Sequence, residues 1–247
     1  MQRGSRKHIL DWTENDSFIN ELGQLLAPIN FSFSKPNLFY PNGYDQPDEI
    51  RLGRWKESHR YETYKKLLDW WLVHKRNANT PNWDLVVECN IQDSPGLILV
   101  EAKANTAELK SSGKTLANNS SENSVENHAH IKHAIAEACE FLQKKTKEIN
   151  ISINSHYQLS NRIAYSWKLA SLGFNVVLVY LGFTKDEGIK DVGEPIENHK
   201  HWQRIMKNYS QNIFPLSVFD TWINCGSGSI YVTLRSRPII EISPPGA

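Results

Sequence analysis

The sequence predicts an α/β protein in which a mixed β-sheet is flanked by helices, and three stretches carry that expectation. Tyr157 to Leu172 has helical periodicity and runs through Gly173 into Phe174-Asn-Val-Val-Leu-Val-Tyr-Leu181, an apolar run typical of a strand buried on both faces. Asp84-Leu-Val-Val-Glu-Cys89 and Leu97-Ile-Leu-Val100 are short apolar runs separated by Gln92-Asp-Ser-Pro-Gly96, which reads as a β-hairpin. Helical patterns recur before, between and after these strands, so helices cover the sheet.

In chain order, Phe18, Ile19, Leu22, Leu25 and Leu26 mark a helix over 16–27. Pro28 ends it, and the stretch 30–48, rich in Pro, Asn, Gly and aromatics, reads as a long loop. Residues 1–50 are therefore an N-terminal extension to a single domain over 51–247. Tyr61, Tyr64, Leu68, Trp71 and Leu72 form one stripe of a helix expected from Trp55 to Arg76, closed by Asn77-Ala-Asn-Thr-Pro81. After the hairpin, Ser111 to Asn127 turns polar and simple, which predicts a disordered insertion around 109–127. Helical periodicity returns from Ile131 to Glu148 and again from Tyr157, where Gly173 is positioned as a C-cap. The tail predicts a helix over 201–208 and a C-terminal hairpin from 230–234 and 239–242.

The 247 residues carry 28 Lys+Arg against 27 Asp+Glu, a net charge of +1, so any anion-binding surface must be local. Cys89, Cys139 and Cys225 stand far apart, with no Cys-x-x-Cys pair, which argues for a reducing compartment and against a cysteine-rich zinc site. No apolar run approaches the ~18 residues of a membrane span, and a soluble, cytoplasmic protein is expected.

The chemistry gathers at Asp84 and Glu101-Ala102-Lys103. Side chains alternate along a strand, so Glu101 and Lys103 leave one face together while Ala102 takes the other. A hairpin turning near Asp93 brings Asp84 opposite residues 101 to 103, provided that paired residue numbers sum to an odd value. Two carboxylates with water suit Mg²⁺, and the lysine beside them would orient or help deprotonate an attacking water.

Asp84, the hairpin and Glu101-x-Lys103, followed by a helix and a buried strand, resemble the PD-(D/E)xK nuclease superfamily of restriction-endonuclease-like fold, over about Trp55 to Phe183. In one departure from the motif, Trp83 precedes Asp84, and the nearest proline is Pro81. The resemblance implies hydrolysis of phosphodiester bonds in nucleic acid, DNA ahead of RNA, with Mg²⁺ or Mn²⁺ held by Asp84, Glu101 and the backbone carbonyl of Ala102. Family members often place another glutamate on the first core helix. Helical phasing selects Glu57, which falls within the apolar stripe, over Glu62, which turns to the polar side. A glutamine on the helix after the hairpin reaches the active site in several members. Gln158 takes that place, and Arg162, on the same face at i+4, would meet a phosphate.

A local excess of basic residues between Arg51 and Arg76, including Arg54, Lys56 and Arg60, would attract a phosphate backbone. His128, His130 and His133 lack the spacing of a zinc helix, and Gly226-Ser-Gly-Ser229 lacks the lysine of a phosphate loop. The alternative reading is a catalytically silent module that binds nucleic acid or another partner through the same fold.

Overall fold

The computed structural model describes residues 3–33, 38–76 and 78–239. The described helices are α1 (Ser5–Thr13), α2 (Phe18–Leu26), α3 (Tyr61–Trp71), α4 (Glu122–Gln143), α5 (Tyr157–Ser171) and α6 (His199–Ser210). The described strands are β1 (Phe31–Ser32), β2 (Phe39–Tyr40), β3 (Leu85–Ile91), β4 (Ser94–Lys103), β5 (Asn175–Thr184), β6 (Trp222–Asn224) and β7 (Ser229–Pro238). They form one open mixed sheet in the order β1-β3-β4-β5-β7-β6, with β2 also paired to β3. β4, β5 and β7 are parallel, while β3 and β6 run antiparallel to their neighbours. No helix among the described residues is long and apolar enough to cross a membrane.

Period-two alternation divides the sheet's side chains between two cores. Val86, Leu97, Leu99, Val176, Leu178 and Tyr180 face α3, α4, α5 and α6. Leu85, Val87, Ile98, Val100, Val177 and Val179 face α1 and α2. β5 is buried along its whole length because helices cover both of its faces, as its unbroken apolar run predicts. α5 ends where the sequence expects: Gly173 has φ 100°, a left-handed conformation that costs least without a Cβ.

The hairpin is tighter than its sequence suggests. Ser94, Pro95 and Gly96 already pair with Ile91, Asn90 and Cys89, which leaves Gln92 and Asp93 as the turn. Both adopt left-handed φ, 54° and 57°, the conformation whose twist matches that of the flanking strands.

Four expectations need correction. The helix expected from Trp55 begins at Tyr61, because Ser58 turns the chain: its hydroxyl bonds Glu88 at 2.5 Å and accepts the Arg60 N–H at 3.0 Å. The segment expected to be disordered is ordered. Lys114 N–H bonds the Ile153 carbonyl at 2.9 Å, and a Cβ on Gly113 would lie 2.3 Å from the Asn154 carbonyl oxygen. Its second half belongs to α4, which starts at Glu122 because Ser121 caps it by accepting the Ser124 N–H; these first turns are largely exposed and so lack an apolar period. α1 was not anticipated, since its apolar residues Ile9, Leu10 and Trp12 make too short a pattern without the sheet on which Ile9 and Trp12 pack. Finally, the C-terminal hairpin joins β6 to β7, because β7 runs unbroken to Pro238 beside β5; residues 240–242 of the expected second strand lie outside the described residues.

Candidate active site

The β3–β4 register pairs Leu85 with Val100, so Asp84, the residue before β3, comes opposite Glu101 and shares its face. The Asp84 Oδ2 accepts the Ala102 backbone N–H at 2.7 Å, which ties the start of β3 to the end of β4. In an extended strand the N–H and C=O of one residue leave on the same side. The Ala102 carbonyl is therefore directed to the Asp84 side, while its methyl group packs among the α1–α2 core.

Glu101 and Lys103 point to the other face and are only 2% and 4% exposed. The Lys103 ammonium donates to Glu101 Oε1, and the Gln158 Nε2, in the first turn of α5, donates to the same oxygen at 2.6 Å. Asp84, Glu101, Lys103 and Gln158 thus meet where two strand ends face a helix start.

Arg162, one turn along α5, corrects the expectation that it meets a phosphate. It is 7% exposed: its Nε donates to Glu101 Oε2 at 2.5 Å, its guanidinium also bonds the Asn161 side chain and the Asn82 carbonyl, and it stacks over Trp83. A side chain so engaged is an internal counter-ion to Glu101 and leaves no face for a phosphate. Lys103 and Arg162 lie against opposite oxygens of Glu101.

Burial pushes the Asp84 carboxyl up to about 7, and the Glu101 charge adds to the rise, against the pull of Lys103 and the Ala102 N–H. Burial alone would raise Glu101 too, but the Arg162 and Lys103 cations outweigh it and hold that carboxyl below its ordinary range. Burial likewise opposes the charge on Lys103, yet Glu101 and Asp84 raise its pKa and keep it an ammonium.

These groups fit a hard divalent cation in kind: two carboxylates and a carbonyl, all oxygen. Asp84 supplies the better ligand, because only its Oδ2 is bonded to a described residue. Among the described residues no cluster of three or more His, Cys, Asp or Glu is disposed to hold an ion, so water would complete the coordination.

Other expected residues lie elsewhere. Glu57 is exposed in the turn before α3, so its helical phasing does not apply; Glu62 is exposed as well. Arg60 donates to the Cys89 and Gly96 carbonyls at 3.1 and 2.9 Å. Cys89 is on the order of 17 Å along β3 from Asp84 at ~3.4 Å per residue, so Arg60 braces the far end of the hairpin. Arg54 donates to the Lys75 and Ala78 carbonyls, and Lys56 is exposed.

Two carboxylates escaped the sequence reading. Glu49 lies close enough to Asp84 and Glu101 for their charges to interact, and burial raises its pKa while Arg6 draws it down. Its side chain accepts from Asn82, and the pairing of Ile50 with Trp83 carries it there, a long-range contact without a local signal. Glu88 is fully buried and accepts from Ser58 and Tyr64, both at 2.5 Å. A signal for it existed: a lone charge inside an apolar strand, in phase with Asp84, needs buried partners. Comparison with protein-family models, with curated proteins and with solved structures finds no match to this chain.

Proposed function

We propose that this chain is a metal-dependent phosphodiesterase of the restriction-endonuclease-like fold, hydrolysing nucleic acid, with DNA the first substrate to test. The observation that supports the reading is the meeting of Asp84, Glu101, Lys103 and Gln158 around one spot, brought together by the register of a hairpin and the first turn of a helix. Asp84, Glu101 and the Ala102 carbonyl would hold Mg²⁺ or Mn²⁺, which when bound stabilises charge developing on a phosphate and acidifies water. Lys103, kept protonated by its carboxylate neighbours, acts as a donor: it orients the attacking water and offsets phosphate charge without taking up a proton. Gln158 and Arg162 grip opposite oxygens of Glu101 and hold that carboxylate in place.

The test is incubation of the protein with assorted DNA and RNA in Mg²⁺ or Mn²⁺, beside Lys103→Ala. Loss of a donor aimed at the developing charge should slow cleavage on the order of 10²–10³-fold. Equal rates for the two proteins would reject the assignment of Lys103. One observation favours a second reading, a silent binding module. The oxygens of Glu101 already accept from Lys103, Gln158 and Arg162, so that carboxylate is compensated without an ion. That reading gains if nucleic acid binds uncut and the melting temperature ignores Mn²⁺.

A further inference from the structure

A cleft of about 420 Å³ opens between the turn at Leu52–Arg54 and the end of α3, lined by Gly53, Arg54, Lys56, Tyr61, Leu68, Lys75 and Arg76. Lys75 pairs with Asp69, whereas Arg54, Lys56 and Arg76 pair with no carboxylate among the described residues. The Arg54 guanidinium is held in place by the carbonyls of Lys75 and Ala78, at 2.8 and 2.7 Å. Gathering cations without counter-ions costs mutual repulsion and focuses a positive potential into the cleft, which an anion relieves. Tyr61, half-buried, and Leu68 give the same cleft an apolar wall on which a sugar or base can rest.

The cleft is placed to serve the candidate active site. Leu52 and Trp55, which flank it, belong to the core on the α3–α6 side of the sheet, the side to which Glu101 and Lys103 point. Ala78 is six residues from Asp84, so the two are at most about 22 Å apart at ~3.3–3.6 Å per residue. A strand rising ~3.4 Å per nucleotide covers that span in about six nucleotides at the outermost.

We infer that this cleft holds a backbone phosphate of a polynucleotide strand flanking the phosphate presented to Asp84, Glu101 and Lys103. The inference rests on the proposed phosphodiesterase reading, and it assigns Arg54, Lys56 and Arg76 to positioning the strand. Arg60 has no part in it.

The experiment is anisotropy titration of a fluorescent single-stranded oligodeoxynucleotide in EDTA over a series of salt concentrations. It compares the wild type, Lys56→Ala/Arg76→Ala, and Lys147→Ala/Lys200→Ala as a charge-matched control at exposed sites outside the cleft. Each phosphate no longer neutralised lowers the slope of log K against log salt by about 0.7, so emptying the cleft of its one phosphate should flatten the slope by about 0.7 and weaken binding roughly 5-fold at 0.1 M salt. The control pair should retain the wild-type slope. Hydrolysis of bis(p-nitrophenyl) phosphate in Mn²⁺, a substrate too small to reach the cleft, should be equal in all three proteins. An unchanged slope in Lys56→Ala/Arg76→Ala, or no oligonucleotide binding by the wild type, would overturn the cleft assignment. If the small diester were still hydrolysed in either case, the phosphodiesterase reading would stand without the cleft. If the oligonucleotide result held and no diester were hydrolysed, the cleft would stand on a binding module.

Discussion

Asp84→Asn should make the metal-free protein more stable at neutral pH. The wild-type carboxyl is pushed from its ordinary value of 3.8 up to about 7 by burial and by the neighbouring Glu101 charge, so its ionised form is costly in the folded state. Between about pH 4 and 7 the folded protein retains a proton that the unfolded chain has released. Stability therefore falls as pH rises through this window, the reverse of the usual behaviour of a salt-bridged aspartate. At 1.36 kcal/mol per pH unit, the cost above pH 7 is at most about 4 kcal/mol. Asparagine keeps the shape, can still accept the Ala102 N–H, and never ionises. The assay is urea denaturation in EDTA at intervals from pH 4 to 8, with equal m-values as the check that the unfolded states match. The variant should equal the wild type near pH 4 and gain progressively to pH 8, where each kcal/mol is worth about 2–4 °C of melting temperature for a chain of this size. Millimolar Mn²⁺ should then stabilise the wild type by about 1.4 kcal/mol at ten times Kd and the variant by less. A pH-independent difference, or a variant less stable than the wild type at pH 8, would refute the electrostatic reasoning.

Glu101→Gln should act in the opposite direction, because it leaves Lys103 and Arg162 buried without their shared counter-ion; a loss of about 3–5 kcal/mol in urea denaturation is expected. Lowering the pH through the depressed pKa of Glu101 should remove the same stabilisation, so the difference between wild type and variant should shrink in acid. Glu57→Ala should leave stability within about 0.5 kcal/mol and any Mn²⁺-dependent cleavage within about twofold of wild type, since the side chain is exposed in the turn before α3. Asp93→Gly should raise stability by about 1 kcal/mol without altering cleavage, because it relieves a left-handed residue in the hairpin turn far from Asp84.

What the sequence determined by itself was whatever repeats along the chain. The alternation of Leu97 to Lys103 places Glu101 and Lys103 together and Ala102 opposite. The apolar run after Gly173 specifies β5, and the spacing of Gln158 and Arg162 puts both on one face of α5. These are properties of a single segment, governed by the geometry of one helix or strand. Only the tertiary structure decided what each of those faces meets. Arg162 reads as a phosphate ligand from its helix alone and becomes an internal counter-ion because Glu101, on another segment, lies 2.5 Å away. Glu57 loses its helical phase because Ser58 is drawn to the buried Glu88. Glu49 enters the site through the contact of Ile50 with Trp83. A buried charge takes its partner from whichever segment packing brings within a few ångströms, and in a weakly screened interior that partner sets its role and its pKa.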